Sequence, residues 1–151
     1  MSDGPASETL SPAAGRRVGV DLLIVHPTFT SAAITSGLQL EPDVTHEVGQ
    51  PRATPQGALL RGVQQDTRWR YSIQRTLDGQ WFSGPVDELL NLLASRRGFL
   101  QTVNSTGGTA TLIVQFLDPG YWADELSHDT LLKLVDLGLN LAVEIYPIPQ
   151  S

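Results

Sequence analysis

The chain has no cysteine among its 151 residues, which removes a disulfide framework, a thiol nucleophile and a thiolate metal site at once. That absence fits a reducing compartment, so a cytoplasmic location is the expectation. Positive charge is also scarce. Ten Lys and Arg stand against sixteen Asp and Glu, leaving a formal net charge of −6, and Lys133 is the sole lysine. A nucleic-acid binder presents a concentrated basic face, so nucleic acid is excluded as the expected partner. No apolar run reaches the length of a membrane-spanning helix, and no membrane partner is expected. Arg16-Arg17 ahead of Val18–Val25 has the outline of a twin-arginine export signal. Asp21 interrupts that apolar run and no small-residue cleavage site follows, so the segment reads as a strand, with Asp21 at a sheet end or exposed on the polar face.

What is present describes an ordinary globular domain. The hydrophobic fraction is 40% and the charged fraction 17%. A chain of this length buries roughly two thirds of its unfolded surface without a staple. Met1 to Gly15 is mostly Ser, Pro, Ala and Gly, which predicts a flexible tail over residues 1–16 and a single domain over 17–148.

Alternation predicts a strand from Arg17 to His26, ended by Pro27. Thr30 or Ser31 then caps a short helix for which Gly37 is the expected left-handed stop. Residues 45–63 are turn-rich, consistent with a loop or an edge hairpin. Trp69, Tyr71 and Ile73 alternate with Arg68, Arg70 and Ser72, which predicts a strand with an aromatic inner face, and Asp78-Gly79 marks a turn. Gly84-Pro85 opens a helix striped by Val86, Leu89, Leu90 and Leu93, with a break expected at Gly98. Ala110 to Leu117 reads as a central strand. Ser127 caps a last helix carrying Leu131, Leu132, Leu134, Val135 and Leu137, with Leu126 and Leu131 as a staple; Gly138 stops it, and Leu139 to Ile145 alternate as a half-buried strand. This order predicts an α+β fold: a helix-layered, mainly antiparallel sheet on the ferredoxin-like, split βαβ plan, with an extra C-terminal helix–strand unit.

With these elements placed, the chain resembles the bacterial domain of unknown function family 4279. Ala33 to Pro42 is similar to that family's Leu-Gly-Leu-x-Pro opening, with Gln39 as a departure, and Gly49 follows about seven residues later. Arg68-Trp69-Arg70-Tyr71-Ser72 stands for its tryptophan strand, and Leu131-Leu132 through Gly138-Leu139 to Ile145-Tyr146 for its ending. The resemblance spans Val18 to Pro147 and implies no catalytic residues.

No grouping is organised for a reaction. There is no G-x-S-x-G elbow, and Gly107-Gly108 precedes a strand rather than the helix of a phosphate loop. Asp124 and His128 would stand one turn apart, a geometry usable by a metal, were the last helix to start early, but acids at a helix start complement its dipole, so no metal and no cofactor is expected. His26 and His46 stand alone. The surface expected to bind is Arg68, Arg70, Tyr71 and Trp81, with Tyr121 and Trp122 in the loop after Asp118-Pro119-Gly120. The functional expectation is a non-catalytic binding or protein-interaction module, of which an acidic partner-neutralising protein of the immunity type is one version. Its partner would be a protein or an anionic small molecule, and the chain itself a monomer or homodimer. The alternative is a small carboxylate- and histidine-dependent hydrolase or transferase in which Asp118, Asp124 and His128 converge.

Overall fold

In the computed structural model, which describes residues 14–78 and 81–146, strand β1 runs Ala14–His26 and organises everything else. The two-residue period of its sequence sends Val18, Val20, Leu22 and Ile24 to one face, where all four are fully buried. There follow α1 (Ser31–Leu38), β2 (Val44–His46), β3 (Pro51–Ala53), β4 (Leu59–Val63) and β5 (Thr67–Asp78). Next come α2 (Ser83–Leu93), a single 3-10 turn (Ala94–Arg96) and α3 (Arg97–Ser105), then β6 (Thr109–Phe116), α4 (His128–Asp136) and β7 (Asn140–Ile145). The fold is α+β. Five strands form one sheet in the order β2-β5-β1-β6-β7, and β3 and β4 form a separate two-stranded hairpin. β1 is antiparallel to both β5 and β6, β2 is antiparallel to β5, and β7 lies parallel to β6, so the sheet is mixed.

All the helices pack on one face. Their buried Ile34, Leu89, Leu93, Leu100, Val103 and Leu134 meet Val20 and Leu22 of β1, Trp69 and Ile73 of β5 and Leu112 and Val114 of β6 in one core. Trp69, fully buried, donates from Nε1 to Thr35 Oγ1 of α1 at 3.0 Å, so its polar edge is satisfied without reaching water. The caps act as the sequence indicates. Thr30 Oγ1 accepts from Ala33 N at 3.1 Å, Ser127 Oγ accepts from Thr130 N at 3.2 Å, and Gly138 (φ 70) closes α4 with Leu139 N donating to Leu134 O at 2.9 Å.

Several expectations are corrected. β1 begins at Ala14, ahead of Arg17, while the expected tail up to residue 13 and the Gly79 position of the turn lie outside the described residues. The long helix breaks at Ala94–Arg96, and Gly98 sits inside α3. Gly37 lies within α1 at ordinary helical φ. What requires glycine there is space, since a Cβ would stand 2.2 Å from the Phe99 ring. The left-handed stop is Gln39, at φ 58 and ψ 40, whose N donates to Thr35 O at 2.7 Å. A side chain is strained in that region, and the glycine of the Leu-Gly-Leu-x-Pro pattern falls on this position. Gln39→Gly is therefore expected to stabilise the protein by about 1 kcal/mol, read as a raised urea midpoint at unchanged slope. A lowered midpoint would show that the Gln39 side chain contributes more than its strain removes.

The C-terminal unit is less covered than its pattern implies. Leu134 and Leu137 enter the core, but Leu131 is 44% exposed. On β7 the core-side residues Leu141, Val143 and Ile145 rise from 43% to 57% to 74% exposed. β7 is an edge strand, and α4 shields only its inner margin.

Residues 45–63 hold the end of β2 and both strands of the β3–β4 hairpin, whose Leu59, Leu60 and Val63 are exposed. Backbone bonds from Gly49 N to Gln64 O and from Gln64 N to Gln50 O close its base at 2.9 and 2.8 Å. It extends from the sheet as an arm.

Candidate functional site

The sheet has a second face that carries no helix among the described residues, and most of its polar residues meet there. Asp21, at the centre of β1, is only 2% exposed. Its sequence suggests a sheet end or an exposed position, and it has neither. It lies in the middle of the helix-free face, where Arg70 of β5 donates from Nε to Asp21 Oδ2 at 2.5 Å. Arg70 Nη2 points across the sheet to Glu144 of β7 at 3.5 Å, and Gln115 of β6 donates from Nε2 to Glu144 Oε1 at 2.8 Å and to Tyr146 Oη at 3.2 Å. A polar line thus crosses from β5 to β7. Gly19 makes room for it, because a Cβ there would come within 2.6 Å of Gln115 Oε1. Among the described residues, two buried side-chain atoms have no hydrogen-bond partner, Asp21 Oδ1 and Arg70 Nη2; Glu144 attracts the latter by charge but is not aligned to accept from it.

Beside this line, at the foot of the arm, Leu23, Val44, His46, Arg68 and Arg70 line a recess of about 200 Å³. The β2–β5 register produces the grouping by placing Val44 opposite Arg70 and His46 opposite Arg68. Arg68 is held loosely, 3.4 Å from Asp66 with both side chains partly exposed, so its guanidinium remains available. No acid occurs from residue 48 to residue 65, whereas Arg52 and Arg61 lie on the arm. The recess sets Arg68 and Arg70, each beside an acid (Asp66 and Asp21), against the apolar side chains of Leu23 and Val44, and the arm next to it carries Arg52 and Arg61.

The other expected binding residues fall elsewhere. Tyr71 is on the opposite, helix-covered face, its ring 6.5 Å from Trp69, because neighbouring strand residues point apart. Trp81 borders a recess of about 610 Å³ with Arg75, Thr76, Ser83, Gly84, Pro85 and Glu88. There the Arg75 guanidinium is bound by Glu88 through both Nε and Nη2, which leaves it little attraction for a further anion. Trp122 folds onto the core. Its ring centre is 4.8 Å from that of Phe116, its Nε1 donates to Asp118 O at 3.0 Å, and Arg16 stacks 4.2 Å over it. Tyr121 next to it is exposed, and its carbonyl accepts from Arg16 Nη2.

The residues of the hydrolase alternative are engaged separately. Asp118 accepts from Arg17 N at 2.7 Å and from Arg17 Nη2 at 2.8 Å, and these bonds hold its carboxyl below the usual range. Asp124 accepts from Ser83 N at 2.9 Å, capping α2 from a distant loop. His128 is 87% exposed at its side chain and lies 3.4 Å from Asp129. Among the described residues no hydrogen bond or ion pair joins any two of the three, and no group of three His, Cys, Asp or Glu is placed to hold a metal.

Sequence reasoning missed Asp21, Glu144 and His46 as parts of one face. The available signal was Asp21 itself, a lone acid inside an apolar strand, which needs a buried partner wherever the strand is central. Among curated proteins and among solved structures no match is found. The family model described as domain of unknown function 4279 matches residues 16–147, taking in the seven strands and four α-helices of the described residues apart from the first two residues of β1, and the chain belongs to that family.

Proposed function

We propose that the protein is a non-catalytic binding module that docks an acidic segment of a partner protein on the helix-free sheet face, at the foot of the β3–β4 arm. The observation that carries this reading is the convergence of Arg68, Arg70 and His46 around Leu23 and Val44, next to an arm that has two arginines and no acid. A carboxylate entering the recess would meet the free edge of Arg68, while an apolar neighbour in the partner would lie on Leu59 and Leu60, both exposed on β4. Charge-assisted bonds from arginine are directional and survive partial desolvation, which suits recognition on a protein whose net charge is −6. The same reading treats the crossover from β5 through α2 and α3 to β6 as a split βαβ unit of the ferredoxin-like kind; its support is that β5 and β6 both run antiparallel to the β1 strand between them.

The test is a titration with a glutamate-rich peptide, and with sulfate as the minimal anion, followed by amide chemical shifts. Shifts are expected at residues 44–46 and 68–70. Arg68→Ala should weaken peptide binding at least about tenfold, equivalent to the ~1.4 kcal/mol of one charge-assisted contact, with no change in unfolding midpoint. Shifts confined to the recess beside Trp81, or no shift at any peptide concentration, would dispose of this assignment.

A further inference from the structure

Among the described residues nothing pairs with the outer edge of β7, and its core-side residues Leu141, Val143 and Ile145 are exposed together with Leu131, Leu132 and Val135 of α4. These six side chains form one surface. Lys133 and Asp136 line the recess that α4 shares with Leu90, Asn91 and Ala94, which fixes the flank of α4 turned toward α2. Leu131 and Val135 lie on the other side of the buried Thr130–Leu134 line, so they face away from α2 and over the outer strand. At their observed exposures the six offer on the order of 600 Å², at the top of the ~300–600 Å² of the largest apolar patch on a typical monomer. Adding the open backbone edge approaches the ~800 Å² per partner of a standard interface.

We infer that this surface is closed by a second copy of the chain, with β7 pairing antiparallel to β7 across a two-fold axis to make a continuous ten-stranded sheet. The sequence of β7 is self-complementary in that arrangement. Centring the pair on Val143 sets Val143 against its own counterpart and Leu141 against Ile145 of the second copy, on the helix side. On the other face Ala142 stands opposite Glu144, so no like charges meet. The two α4 helices then meet above the sheet through Leu132 and Val135, and each copy covers what the other leaves bare, as an isologous contact demands. The opposite edge of the sheet is unsuited to this. β2 has three residues, and beyond it β5 presents Ser72, Gln74, Arg75 and Thr76, a polar and charged margin of the kind that blocks pairing.

The absence of native cysteine makes the register directly testable. Val143→Cys should form a disulfide-linked dimer on mild oxidation, because directly opposed residues have Cα atoms ~4.5–5.5 Å apart, within the span of a disulfide; Ser105→Cys, exposed at the end of α3, should not. Light scattering of the unmodified protein should give twice the mass of one chain, and Val143→Lys should weaken that dimer by at least about thirtyfold while the variant keeps its helical and sheet circular dichroism. A monomer at every concentration across about a hundredfold range, or a dimer that persists in Val143→Lys, would overturn the inference. So would cross-linking of Val143→Cys no faster than that of Ser105→Cys. These outcomes leave the recess at the foot of the arm untouched, since it lies at the other side of the sheet.

Discussion

Arg70→Met should destabilise the protein by about 3–5 kcal/mol, well beyond the effect of removing its partner, because the two members of the pair are buried to different depths. The Asp21 side chain is 3% exposed and that of Arg70 is 29%. Without Arg70 the carboxylate stays at the centre of the sheet with Oδ2 newly stripped of its donor and Oδ1 already lacking one. In Asp21→Val the remaining guanidinium swings toward Glu144 and solvent, and the loss falls to about 2 kcal/mol. The double variant Asp21→Val/Arg70→Met has no stranded charge. It should return to within about 1 kcal/mol of the parent, since apolar replacement of a whole buried pair is often neutral or better. Urea unfolding of all four proteins completes a double-mutant cycle. Equal losses in the two single variants would show that depth of burial does not govern this pair.

The second large effect belongs to the corner where β1 ends and β6 begins. A Cβ on Gly108 would stand 2.5 Å from His26 Cδ2, 2.8 Å from the Val25 carbonyl oxygen and 3.0 Å from Val103 Cγ1. The oxygen belongs to the central strand and the imidazole is pinned on both nitrogens, so neither yields. Gly108→Ala should cost about 3 kcal/mol and lower Tm by roughly 6–12 °C. A Tm for the Gly108→Ala variant within about 2 °C of the parent would mean the corner relaxes freely.

The same corner makes stability depend on acid. His26 is fully buried and stacked on Phe29 with ring centres 3.7 Å apart. Its Nδ1 accepts from Thr28 N at 3.1 Å and Phe29 N at 2.9 Å. The Thr106 hydroxyl donates to Thr102 O at 2.6 Å and so receives the Nε2 proton of His26, 2.8 Å away. A second proton on Nδ1 would face two donors, and burial already pushes the imidazole pKa below its ordinary 6.5. The unfolded chain therefore binds the proton first. Stability is full above pH 6.5 and falls as pH drops below it, until the folded-state value is passed. In His26→Asn, where an amide oxygen replaces the Nδ1 acceptor, that pH-dependent part should vanish from the slope between about pH 7 and 5.

How far the sequence carries is clearest at particular residues. Thr30 and Ser127 as caps, Gly138 as a helix stop and the alternation through Val18–Ile24 and Trp69–Ile73 are all legible, because each depends on neighbours within a turn or on strict period two. Arg68 and Arg70 are legible as a basic strand face for the same reason. Period two also contains the correction for Tyr71, whose odd position sends it to the other side. Gln39 shows the limit: glycine at 37 looks like the stop because composition marks glycine, while only the Phe99 ring, from a helix sixty residues away, explains why 37 is small.

What the sequence determines by itself is thus the kind and order of most of the elements and the side of each strand that is apolar. What tertiary structure alone decides is which strands are neighbours. Setting β1 between β5 and β6 buries Asp21 beside Arg70, and leaving β7 outermost exposes Leu141, Val143 and Ile145 although their pattern matches that of a covered strand. Periodicity is set by dihedral angles a few residues apart. The place of β1 between its neighbours is set by contacts between residues more than forty positions apart, and no local pattern records those.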